Sequence, residues 1–270
     1  MRSGNHAIIE WIMQQHTGQP VCFLNNIRHG DYDPFNNYAQ RVLHGIDENI
    51  ETEELRLLEK RLLIYSYEDR AELELQGVDF FRSVFDSSFE VNRRAYLNGS
   101  KNFFNIFIIR DPFNCLASRI KLLQTRGSLG GASDLRLIMH DWETLARVAL
   151  ELITRPRNNN IVISFNRWLT DIEYRKSLSA QLFGVFSDTS MSKVSTFGGG
   201  SSFHDSATNN SLAPVVADLK VFERWQLFKT DPDFLQAIAY PGVFELSEKL
   251  FGELDGTREL LASYKQREYG

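Results

Sequence analysis

The chain has 270 residues, with 30 Lys and Arg against 35 Asp and Glu, a formal charge of −5 and a pI of about 5.7. That balance excludes a mainly electrostatic nucleic-acid binder, while leaving room for a local basic pocket. Its longest apolar stretch, Phe103 to Ile109, is far shorter than the roughly 20 residues a spanning helix needs.

Met-Arg-Ser-Gly-Asn-His opens the chain with no charged region leading into an apolar core. The sequence therefore predicts no signal peptide and no membrane anchor. Cys22 and Cys115 are far apart in apolar contexts, which is neither a disulfide framework nor a metal-ligand spacing. A reducing, cytoplasmic setting is the simplest expectation. No metal site is expected anywhere.

Residues 5–16 read as a helix with Ala7, Ile8, Trp11 and Ile12 on one side. Pro20 to Leu24 reads as a short buried strand, 51–61 as a charged helix, and Leu62 to Tyr67 as a second strand. Phe103 to Ile109 is the strongest strand, followed by a helix whose cap is Asp111 and whose first turn holds Pro112. A long helix runs from about Ser133, a candidate cap, to Leu152. Its Leu135, Ile138, Trp142, Leu145, Ala149 and Leu152 keep a 3-4 spacing. Ile161 to Phe165 is the fourth strand.

Residues 187–213 are rich in Ser, Thr, Gly and Asn and are expected to be a lid or flexible loop. Val221, Phe222, Trp225 and Phe228 then mark an amphipathic helix, and two or three short helices complete the chain. Strands alternating with helices argue for parallel pairing. The expected fold is a single α/β domain over 1–270, a three-layer sandwich with a central parallel sheet flanked by helices. In such sheets ligands sit beyond the carboxyl ends of the strands.

Two segments carry chemistry. Arg2-Ser3-Gly4-Asn5-His6 runs directly into a helix. Small residues let backbone N–H groups approach a phosphate, and the helix start adds a positive dipole end. Taken alone it is also an ordinary turn, and it lacks the Lys-Ser/Thr of a nucleoside-triphosphate loop. The second segment is the strand end Arg110-Asp111-Pro112, with Ser118 eight residues after the arginine. An Arg and a hydroxyl so spaced can hold a second phosphate, or can simply belong to a capped helix with a surface Arg.

Together these segments resemble the sulfotransferase family, which transfers a sulfuryl group from 3′-phosphoadenosine 5′-phosphosulfate (PAPS). The resemblance covers residues 1 to about 205 and implies a P-loop-like fold. It places the 5′-phosphosulfate on Arg2, Ser3, Gly4, Asn5 and His6, and the 3′-phosphate on Arg110 and Ser118. The family's Tyr that holds the adenosine is matched by Phe165, which lacks the hydroxyl. Gly199, Gly200 and Ser201, within Gly198–Phe203, fall where the family has its cofactor lid.

Glu68 falls where family members carry their catalytic base; it can equally cap the next helix, and Asp69 follows it. His29 is either an acceptor-cleft residue or a loop residue, and His140 is expected to be structural. Asn5 and His6 replace two threonines, Ala7 replaces an aromatic, and the family's strand before the loop either lies upstream of Met1 or is missing from the sheet. Both Asn5 and His6 still donate hydrogen bonds, and His6 can carry charge beside the fixed charge of Arg2.

The resemblance thus implies catalytic roles for Arg2, His6 and Glu68 and a small-molecule or glycan hydroxyl acceptor. No nucleic-acid or membrane partner is expected, and oligomeric state leaves no trace in the sequence. The competing expectations are a P-loop kinase-like phosphotransferase and a non-catalytic or N-terminally truncated homologue.

Overall fold

The computed structural model describes residues 4–28, 32–67, 91, 102–125, 127, 132–156, 159–184, 186–188 and 221–269. It is a mixed α/β protein with many helices and two small sheets. The chain divides into two compact units. One comprises Met1–Asn5, Ile106–Leu178 and Ser192–Gly270; the other comprises His6–Asn105 and Ser179–Met191.

In the second unit, helix α1 (Asn5–Gln14, of which Asn5 belongs to the first unit) is followed by strand β1 (Val21–Asn25), strand β2 (Gln40–His44), helix α2 (Thr52–Leu57) and strand β3 (Leu62–Tyr65). The sheet order is β2-β1-β3. β1 and β3 are parallel, with Val21 opposite Leu62 and Leu24 opposite Tyr65. β2 is antiparallel to β1.

β1 is buried along its whole length, and its alternation assigns two faces. Val21 and Phe23 pack with Ile9 and Met13 of α1. Cys22 and Leu24 pack with Ile27, Phe35 and Leu55 on the other side. Gln15 secures the later part of this unit: its amide donates to the Ser187 carbonyl at 2.7 Å and accepts from the Ser187 N–H at 2.8 Å.

In the first unit, strand β4 (Asn105–Ile109, of which Asn105 belongs to the second unit) leads into helix α3 (Pro112–Thr125), the long helix α4 (Ala132–Thr154), strand β5 (Asn160–Ser164) and helices α5 (Phe165–Thr170) and α6 (Ile172–Leu182), the end of α6 passing into the other unit. β4 and β5 form their own two-stranded sheet. A 3-10 turn (Arg224–Phe228) and helices α7 (Pro232–Ile238), α8 (Val243–Phe251) and α9 (Thr257–Tyr269) follow. α4 buries Leu135, Met139, Trp142, Leu145, Ala146 and Ala149, an unbroken 3-4 stripe.

Several expectations are corrected. The α/β class and a parallel pairing are as expected, while the described strands fall into a three-stranded and a two-stranded sheet and β2 adds an antiparallel neighbour that was not expected. β2 escaped notice because Gln40 and His44 at its ends are exposed and its middle is only half-buried, so it has no strong apolar signature. The β3 strand stops at Tyr65. Phe165 opens α5 rather than closing β5, because the Ser164 hydroxyl accepts the Arg167 N–H and caps a helix there. Helix α4 begins at Ala132, so Ser133 lies inside it. The expected helix through Val221 to Phe228 is a short 3-10 turn. No helix among the described residues is long and apolar enough to cross a membrane.

Candidate functional site

Arg110 follows directly on β4. Two caps fix its backbone. Trp142 donates its indole N–H to the Arg110 carbonyl at 2.9 Å. The next residue, Asp111, takes the Asn114 N–H at 2.8 Å and the Asn114 side-chain amide at 3.0 Å, closing the N-terminus of α3 as the sequence predicts. Asp111 also exchanges two bonds with Asn166: its N–H donates to Oδ1 at 3.2 Å, and its Oδ2 accepts from Nδ2 at 2.9 Å. That pair ties the end of β4 to the first turn of α5.

The Arg110 side chain is buried, with 5% of the residue exposed. One guanidinium N–H donates to the Ser118 hydroxyl at 3.3 Å and another to the Val221 carbonyl at 3.3 Å. The group lies 5.2 Å above the ring of Phe165, within range for a cation–π contact. Its Nε is buried without a hydrogen-bond partner. No carboxylate among the described residues pairs with it. Burying a guanidinium without a counter-charge is costly unless something supplies the missing negative charge.

Phe165 extends this cluster to the start of the chain. Gly4 has φ +84°, and a Cβ built there would fall 2.2 Å from the Phe165 ring. Only glycine both accepts that backbone and lets the ring approach so closely. Gly4, Phe165, Arg110 and Ser118, singled out separately in the sequence, are therefore joined by contacts within one unit. Phe165 stacks on Trp168 as well.

Arg224 was missed by sequence reasoning. It is buried, and it donates to the same Ser118 hydroxyl at 3.5 Å. Asn114 places it: its amide donates to the Phe222 carbonyl at 3.0 Å and its oxygen accepts the Trp225 N–H at 3.3 Å. Two buried guanidiniums thus converge on one hydroxyl. The sequence signal was an arginine set among apolar residues, at a spacing that suggested only a core-facing helix.

His6 belongs to the second unit, where it meets Asn25 at 3.3 Å. Asn25 in turn accepts from Ser66 at 2.9 Å. Neither partner stood out in the sequence. Asn5 is the first residue of α1. Arg2, Ser3, His29, Glu68, Asp69, Gly199, Gly200 and Ser201 lie outside the described residues. His140 accepts or donates a bond with Tyr240 at 3.0 Å, in keeping with a structural role.

No family model matches the chain, and neither do any curated proteins or solved structures.

Proposed function

We propose that the chain is a PAPS-dependent sulfotransferase with a P-loop-like sandwich fold, acting on a hydroxyl of a glycan or small molecule. The observation that carries this reading is Arg110: a buried cation with an orphaned Nε, no carboxylate partner among the described residues and a hydroxyl at its tip. That is the chemistry of a phosphate site, since an anion would supply the absent charge and accept charge-assisted bonds.

When bound, PAPS supplies an electrophilic sulfuryl group. Arg110, Ser118 and Arg224 hold its 3′-phosphate. Phe165 offers its ring near that phosphate, with one face already occupied by the Arg110 guanidinium. Gly4 and Asn5 present backbone N–H groups to the 5′-phosphosulfate, with Arg2 and Ser3 beside them in sequence. His6 donates a hydrogen bond to the anionic oxygens. Glu68 takes the proton of the acceptor hydroxyl. Fixed donors aimed at developing charge stabilise the transition state without reorganisation.

Calorimetry tests the reading. Adenosine 3′,5′-bisphosphate is expected to bind more tightly than 5′-AMP by about 1.5–3 kcal/mol, the range for a hydrogen bond to a charged group. Arg110→Ala is expected to erase that preference. Equal affinity of the wild-type chain for the two nucleotides would overturn the assignment.

A further inference from the structure

After α6 the chain folds back onto the end of α1, within the second unit. The Ser179 carbonyl closes the last turn of α6, accepting the Phe183 N–H at 2.8 Å and the Gly184 N–H at 2.9 Å. Gly184 then turns the chain at φ +76°, a conformation that suits glycine at a helix end. The residues that follow meet α1 and the turn after it at two places.

The first is an amide clasp. Gln15 Nε2 donates to the Ser187 carbonyl at 2.7 Å and to the Trp11 carbonyl at 3.0 Å, and its Oε1 accepts the Ser187 N–H at 2.8 Å. A carboxamide does not titrate, so this clasp is indifferent to pH. The second is aromatic. The Phe183 ring lies 5.0 Å from the His16 ring with the planes at 88°, and 6.3 Å from the Trp11 ring at 66°. His16 Nε2 is buried there without a hydrogen-bond partner among the described residues.

A neutral imidazole tolerates that setting and an imidazolium does not. Whichever nitrogen holds the hydrogen of the neutral ring, the protonated ring carries one on both. Nε2 would then be a buried donor with no acceptor, on a ring with a full charge. The surrounding charges do not relieve it. Arg61 shares a hollow with His16 and repels a second cation, while Gln15, Thr17, Gln19 and Phe183, which complete the lining, carry no charge. Glu10 of α1 accepts from Gln14 at 3.0 Å, and Asp188 follows Ser187 in the chain. Neither acts on the His16 proton, which burial first and Arg61 second hold below the ordinary 6.5.

We propose that the segment Phe183–Ser187 is a latch on the end of α1 that acid loosens, Gln15 supplying a hold that ignores pH and His16 a hold that exists only while its ring is neutral. Opening the latch lets the imidazolium reach water. Proton uptake and opening are therefore linked, and each favours the other by the same factor. The latch has its full strength above about pH 6.5 and weakens from there down to the lower value of the closed form. None of this rests on the sulfotransferase reading.

The test is hydrogen exchange at the Ser187 amide, corrected for the intrinsic effect of pH on exchange, beside an NMR titration of His16 assigned through His16→Gln. Both use the full chain. Wild-type Ser187 protection is expected to fall between about pH 7.5 and about pH 5, by at most the ratio of the His16 acid constants in the closed and opened chain. It is expected to stay below that of the Cys22 amide in β1 throughout, since the latch opens without the sheet. His16→Gln is expected to flatten the fall. Gln15→Ala is expected to move the His16 titration up towards 6.5, a shift that mere loss of a hydrogen bond at Ser187 would not cause.

Wild-type Ser187 protection that does not change with pH overturns the proposal even if no variant folds. So does protection equal to that of Cys22, which would mean that the segment opens only when the whole unit does. A fall retained in His16→Gln, or a His16 titration unmoved in Gln15→Ala, overturns it as well.

Discussion

Two arginines in different units adopt the same pose with opposite consequences. Arg56 lies 5.2 Å above the ring of Phe35, and Arg110 lies 5.2 Å above the ring of Phe165. Arg56 is matched by Asp33 at 2.5 Å and by Glu53 at 3.4 Å, so its charge is neutralised within the fold. Arg110 meets a hydroxyl, a carbonyl and an aromatic face, with its Nε unanswered. A cation–π contact orients a guanidinium without neutralising it. The carboxylates beside Arg56 are what separate the two residues among the described contacts.

The comparison breaks most visibly at the matched pair. Among the described residues, Arg56→Met leaves the buried Asp33 carboxylate with only the Phe35 N–H at 3.0 Å. Removing one partner of a buried ion pair costs about 3–5 kcal/mol. A denaturant titration is expected to show a loss of that order. A loss below about 1 kcal/mol would show that Asp33 is readily hydrated and that the pair contributes little.

Next in size is the support beneath Arg110. Gly4→Val puts a branched side chain into the Phe165 ring on a backbone that L residues avoid. Overpacking costs about 1–3 kcal/mol and the left-handed backbone about 1–2 kcal/mol more. Thermal unfolding is expected to show the drop, and nucleotide binding is expected to weaken as the ring moves. Unchanged stability would mean that Phe165 yields freely and does not set Arg110.

Smaller in stability, and opposite in kind to Arg56→Met, is Arg110→Met. It removes a buried cation that no carboxylate among the described residues neutralises, while forfeiting the bonds to Ser118 and Val221. Those terms offset, so unfolding free energy is expected to stay within about 1 kcal/mol of wild type. The preference for the 3′-phosphate is expected to vanish nonetheless. If Arg110→Met destabilised the chain as much as Arg56→Met, Arg110 would be a structural residue and the contrast would fail.

The smallest effect concerns acid. Burial, with the charge of Arg61 acting the same way, holds His16 below its ordinary 6.5. The unfolded chain therefore takes up the His16 proton first as pH falls. The stability this adds is fully present above about 6.5 and is lost between that value and the lower folded one. His16→Gln is expected to flatten that part of the stability–pH curve. An unchanged slope would assign the acid response to other groups.

The sequence determined the local structure around Arg110 well. Its strand, its Asp111 cap, its Pro112 start and its Arg–Ser spacing are all encoded within the fourteen residues from Asn105 to Ser118, where hydrogen-bond geometry is local. The parallel β1–β3 pairing was likewise legible from strands alternating with helices. The antiparallel β2 was not, because an exposed edge strand needs no apolar alternation.

Only the tertiary structure brought Gly4 onto Phe165, Arg224 onto Ser118, and Ser66 onto Asn25 beside His6. These residues are separated by 161, 106 and 41 positions respectively, so no local pattern links them. Spacing announces neighbours only within one helix or strand. Contacts across elements are fixed by packing, and packing decides which guanidinium meets a carboxylate and which, among the described residues, meets only a hydroxyl, a carbonyl and a ring.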